Sequence, residues 1–126
     1  MVLCGSRRFK PEIRKFAEEL RESGATVFEP YLHSGHDEWN TLSDDYKRFV
    51  LLGLTHDHFY KIKMADVVYV YNEDGYCGPS TTLELGYAIA CGKPVYALSD
   101  QDPELCRLVL FRGFITNTSD LLKVLI

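Results

Sequence analysis

Short apolar runs alternate with stripes of helical period along this chain. Val2, Leu3 and Cys4 form a continuous apolar run ended by Gly5, the pattern of a strand buried on both faces. Pro11 suits a first helical turn, and Ile13, Phe16, Ala17 and Leu20 recur at helical spacing until Gly24. Thr26, Val27 and Phe28 predict a second strand. Residues 29–43 carry no clear period and include Pro30, His33, Gly35, His36 and Trp39, so they read as a long loop of the kind usually given to function. Ser43, Asp44 and Asp45 mark a helix start, continued by Tyr46, Phe49, Val50 and Leu54. Thr55 then predicts the cap of a further helix with Phe59, Ile62 and Met64 on its apolar face. Residues 66–71, with Val67, Val68 and Val70, give the clearest strand. A turn-rich loop over 72–79, with Gly75 and Gly78, leads into a helix over 81–91 that Gly92 stops. A strand over 94–98, a short helix opened by Asp102, Pro103 and Glu104, a small strand at Phe114 and Ile115, and a helix near 120–125 complete the pattern.

Strand followed by helix in this order predicts parallel strands joined by right-handed crossovers: an α/β, Rossmann-like three-layer sandwich with a parallel sheet of about five strands. Folds of this kind bind ligands beyond the carboxyl ends of the strands, where strand order reverses. The loops after Cys4, Tyr71 and Leu98 are therefore the places to look for chemistry.

The 126 residues suit one domain, 1–126, and the 46% hydrophobic and 25% charged residues are a globular mixture. Fourteen Lys and Arg against eighteen Asp and Glu give a net charge of -4, with no basic block to grip a nucleic acid polymer. No apolar run approaches the ~20 residues of a membrane span and no signal-peptide pattern opens the sequence, so a soluble, cytoplasmic protein is expected. Cys4, Cys77, Cys91 and Cys106 have no C-x-x-C spacing and read as reduced, mostly buried residues.

Three groups can carry chemistry. Gly5, Ser6 and Arg7, followed by Arg8, offer a close backbone, a hydroxyl and a bidentate donor for a phosphate or ribose, or else form a tight turn with solvated arginines. Neither G-x-G-x-x-G nor G-K-[ST] is present, so no dinucleotide or triphosphate fingerprint is expected. The second group runs from Asp74 through Tyr76, Gly78, Ser80 and Thr81 to Glu84 at a helix start, where free N–H groups attract an anion. Glu84 reads either as a catalytic carboxylate or as the partner of Thr81 in a capping box. The third group is His33, His36 and Asp37 with His56, Asp57 and His58. Its residue types suit a transition metal, but no pair has H-E-x-x-H spacing, and no metal site is assigned. The tyrosines of 67–71 read as strand packing, and Tyr76 as a ligand contact.

Ala65-Asp66-Val67-Val68, Glu84-Leu85-Gly86-Tyr87-Ala88 and Gly92-Lys93-Pro94-Val95, with Gly5-Ser6 after the opening strand, resemble the nucleoside 2-deoxyribosyltransferase superfamily. Its nearest likeness is a deoxyribosyltransferase-like branch with His-x-x-Lys-Ile before the Ala-Asp and Gly-Tyr-x-Gly-x-Ser-Thr before the glutamate, here His58, Lys61, Ile62 and Gly75, Tyr76, Gly78, Ser80, Thr81. The resemblance implies a Rossmann-like fold without a cofactor and chemistry at the N-glycosidic bond of a deoxynucleoside or deoxynucleotide. The glutamate, Glu84, would attack the anomeric carbon. Another base, or water, would then take the glycosyl group from the resulting ester. The superfamily usually carries an aspartate eight residues before the Asp of the Ala-Asp strand. Here that position is His58, with Asp57 beside it, and either becomes a candidate to assist departure of the base. A tyrosine of the first strand is replaced in the region of Leu3, Cys4 and Phe9. The resemblance also implies a homodimer or higher homo-oligomer. The alternative is a nucleotide-binding sensor that holds its ligand without turnover.

Overall fold

The computed structural model describes residues 1–30 and 36–125, with backbone alone for 36–38. Strands β1 (Val2–Gly5), β2 (Val68–Tyr71), β3 (Val95–Ala97) and β4 (Gly113–Phe114) lie side by side in that order, all parallel. The expected class is present with four strands rather than five. The chain at Phe28 makes one parallel bridge to Val2, on the edge of β1 away from β2. There the Leu3 N–H donates to the Phe28 carbonyl at 2.8 Å, and the Phe28 N–H to that of Met1 at 3.0 Å. The next residue able to extend this pairing is Pro30, which has no N–H to donate, so the second strand ends after one rung.

Helices α1 (Lys10–Glu22) and α6 (Thr118–Lys123) cover one face of the sheet; α3 (Asp44–Met64) and α4 (Pro79–Ala90) cover the other. Strand alternation sorts the side chains. Leu3, Tyr69 and Tyr71 point to the first face with Ile13, Phe16 and Leu20 of α1. Val2, Cys4, Val68 and Val70 point to the second with Ile62 of α3 and Leu85 and Ala88 of α4. The Phe16 and Tyr69 rings stack at 5.0 Å, and the Tyr69 hydroxyl donates to the Ile115 carbonyl at 2.6 Å. Both faces of β2 are therefore closed, as its continuous apolar run requires.

Two expectations change. The long loop before Ser43 contains a short helix, α2 (His36–Thr41). The two helices expected on either side of Thr55 are one, α3, whose N-cap Ser43 accepts from the Tyr46 N–H at 3.2 Å. Gly53 and Thr55 lie on exposed turns of it, where neither residue type is strong enough to break a helix of 21 residues. The short helix α5 (Leu105–Leu108) sits between β3 and β4. Among the described residues no helix is long and apolar enough to cross a membrane.

Candidate active site

With Phe28 on one side of β1 and β2 on the other, the order of strand segments reverses between β1 and β2, and their carboxyl ends open a crevice at that point. A cavity of about 320 Å³ occupies it. The loop after β1 supplies Gly5, Ser6 and Arg7, and the loop after β2 with the start of α4 supplies Tyr76, Gly78, Ser80, Thr81 and Glu84. From α3 come Leu51, Leu54, Thr55 and His58.

Each wall has a local cause. Gly5 is required by packing: a Cβ there would stand 2.6 Å from Ile13 Cδ1 and 3.1 Å from the Tyr71 carbonyl oxygen. Ser6 caps the 3-10 turn Arg7–Phe9, accepting from the Arg8 N–H at 3.2 Å, which leaves Arg7 exposed at the cavity edge. The Arg8 guanidinium lies 3.6 Å from the centre of the Tyr76 ring and holds that ring in place. Gly75, at φ 78°, packs so tightly on the Gln101–Asp102 backbone that no side chain fits, which fixes the loop before α4. Asn72, fully buried beneath it, donates to the Ser99 carbonyl at 3.0 Å and accepts from the Ser99 N–H at 2.8 Å.

The helix start decides between the two readings of Glu84. The N-cap of α4 is Gly78, with Pro79 in the first turn, so Thr81 already lies inside the helix. Glu84 is in the second turn, beyond reach of a cap, and the capping-box reading fails. Its carboxylate instead turns inward under the cavity. Oε2 stands 3.4 Å from His58 Nε2, a contact too poorly aligned to be a hydrogen bond, and is buried with no hydrogen-bond partner among the described residues. His58 Nε2 is also 3.4 Å from Cys4 Sγ. Burial pushes the Glu84 carboxyl up to about 7, only partly offset by the polar Cys4 thiol beside it. Burial, with Lys61 nearby, pulls His58 down to about 4. The imidazole is therefore neutral at physiological pH, which removes the pKa match that made it a proton donor to a departing base. The Cys4 thiol, fully buried beside a carboxylate, is held well above its ordinary range.

The structure thus gathers Gly5, Ser6, Arg7, His58, Tyr76, Gly78, Ser80, Thr81 and Glu84 around one cavity. Asp57 is not among them. It faces solvent from α3 and pairs with Lys61 at 2.8 Å, because one residue along a helix turns the side chain by about 100° from His58. His56 also lies outside this cavity; His33 falls outside the described residues, as do the side chains of His36 and Asp37. Cys4 was missed as a site residue. Its signal was strand alternation: as the last residue before Gly5, it faces the same side as Val68 and Val70, under α3 and α4.

No protein-family model matches the chain, and neither does any curated protein. Solved structures do match. One is a 2-deoxyribosyltransferase from the psychrotolerant bacterium Bacillus psychrosaccharolyticus, with a TM-score of 0.61 and 21% identity over 96% of this chain and 90% of that one. Another is the CMP N-glycosidase BcmB of Clostridium botulinum, with a TM-score of 0.55 and 16% identity over 99% of this chain and 97% of that one. At these identities the two likenesses show that this chain shares their fold.

Proposed function

We propose that the protein is an N-glycosidic-bond enzyme acting on a deoxynucleoside or deoxynucleotide, with Glu84 as nucleophile. The observation that carries this reading is the inward carboxylate of Glu84: buried, with one oxygen unpartnered, beneath the cavity at the point where strand order reverses. The two similar structures supply the chemical class. In its ionised form Glu84 attacks the anomeric carbon. The C–N bond breaks, the base leaves with the electron pair and takes a proton from solvent, and a glycosyl ester remains on the enzyme. A second base or a water molecule then attacks the same carbon and releases the carboxylate, so configuration is retained. His58, neutral and 3.4 Å from the carboxylate, packs beside it and is not the group that protonates the base. Arg7 and the free N–H groups at the start of α4, around Ser80 and Thr81, suit a phosphate or sugar hydroxyl at the mouth. Tyr76 offers a ring edge to the base.

A panel of deoxynucleosides and their monophosphates, incubated with and without an acceptor base, tests the proposal. Free base, or exchanged base, is the expected product. Thermal stabilisation without product would instead mark a nucleotide-binding module. The placement of Asp57 outside the cavity is what favours that second reading.

Self-association belongs to the same proposal. Helix α3 exposes Tyr46, Phe49, Leu51 and Leu52, with Phe49 at 72% and Leu52 at 60%, on the helix that also walls the cavity. Such a surface suits a second copy of the chain. Sedimentation should show a dimer or larger assembly that Phe49→Glu with Leu52→Glu dissociates; a monomeric wild type would refute it.

A further inference from the structure

Cys4, His58 and Glu84 come from β1, α3 and α4, three elements distant in sequence, and meet with Sγ, a ring nitrogen and a carboxylate oxygen all within 4.8 Å of one another. Two of the separations are 3.4 Å: Cys4 Sγ to His58 Nε2, and His58 Nε2 to Glu84 Oε2. Ligands held at about 2.0–2.3 Å around a tetrahedral zinc ion stand about 3.3–3.6 Å apart. Both observed separations fall in that interval.

We propose that these three side chains form a zinc site, which occupies the carboxylate of Glu84 and holds the enzyme inactive. The donor set selects the metal class. A thiolate with an imidazole and a carboxylate suits zinc, whereas calcium and magnesium take oxygen ligands. The unpartnered Oε2 of Glu84 gains a ligand bond in such a site, and the buried Cys4 releases its thiol proton to solvent as the Zn–S bond forms. His58 and Glu84 line the cavity, from which water completes the ion's coordination, while Cys4 is fully buried. Binding of the ion rests on geometry alone; its effect on turnover rests on the nucleophile reading of Glu84.

Cobalt(II) added to the reduced, metal-free protein tests the site without any assay of activity. One equivalent should produce a thiolate-to-cobalt charge-transfer band in the near ultraviolet together with the visible bands of a tetrahedral ion, and one equivalent of zinc should abolish both. The Cys91→Ser, Cys106→Ser double variant, which removes the two more accessible thiols, should keep the bands. Cys4→Ser and His58→Ala should lose them, with far-ultraviolet circular dichroism showing that each still folds. Should either variant unfold, the wild type decides alone: no band at one equivalent overturns the proposal, and so does a band retained in folded Cys4→Ser. In the substrate assay, equimolar zinc should suppress turnover and a chelator restore it. Bands without inhibition would uphold the ion site and contradict the nucleophile role of Glu84, so the two failures are distinguishable.

Discussion

Glu84 shows how placement within a helix changes what a residue does. Three residues nearer the N-terminus it would cap the backbone; in the second turn of α4 it is turned under the sheet edge and loses water. Its carboxyl, raised to about 7, is half ionised near that pH and mostly protonated a unit below it. In the metal-free protein, turnover should therefore rise through about pH 7, as a pH–rate profile with chelator present would show; a profile flat from pH 5 to 8 would contradict it. The linkage has a definite sign. A carboxyl with a raised pKa binds more protons folded than unfolded between about 4.5 and 7, so its contribution is favourable at the acid end and lost as pH rises. Glu84→Gln should be more stable than wild type above pH 7, by up to roughly 3 kcal/mol, and gain little near pH 4.5. Urea midpoints at pH 5 and pH 8 measure this. His58 runs the other way, adding stability as pH rises from about 4 to its ordinary 6.5. Arg7→Ala should weaken nucleotide binding more than nucleoside binding; an equal change, or none, for both ligands would remove the phosphate role. Glu84 was legible in the sequence because a glycine-rich loop entering a helix after a buried strand is a recognisable arrangement. Its link to Cys4 was not, since a cysteine ending an apolar run looks like core until the partner helices are in place.

Among the elements, α3 departs furthest from its sequence pattern. Tyr46, Phe49, Leu51 and Leu52 are exposed on it, and only His58 and Ile62 are buried, so no single apolar stripe marks its length. Periodicity reports a helix face only where that face is packed, which is why Thr55 looked like a new beginning. A substitution checks that the helix is continuous. A Cβ at Gly53 would meet nothing within 4 Å, and its backbone is helical, so Gly53→Ala should stabilise the protein by about 0.5–1 kcal/mol. Loss of stability would place a break there. Gly5→Ala should act oppositely, forcing Ile13 and the β2 backbone away and lowering both stability and activity. The loop before α4 was legible in outline; its rigidity, from Asn72 with Ser99 and from Gly75 against Gln101, depends on contacts across the chain that spacing does not reveal.

At the scale of the whole molecule, the alternation of strand and helix was enough to fix the class and the parallel sheet, because crossovers of this length allow little else. The strand count was not legible: Thr26, Val27 and Phe28 have strand composition, but Pro30 ends their pairing after one rung. That single rung still matters to the candidate site, since it sets the reversal of strand order beside β1 and so where the cavity opens. Around that opening the loops bring an exposed arginine, the free N–H groups of a helix start and a buried carboxylate to one volume of about 320 Å³. The central claim is that this carboxylate attacks the sugar, and turnover of Glu84→Gln tests it most directly. The amide keeps shape and volume but removes the attacking charge. On the deoxynucleoside or deoxynucleotide that gives most product with wild type, the variant should lose at least about 10³-fold in turnover while still binding the ligand. Turnover equal to wild type would contradict the claim.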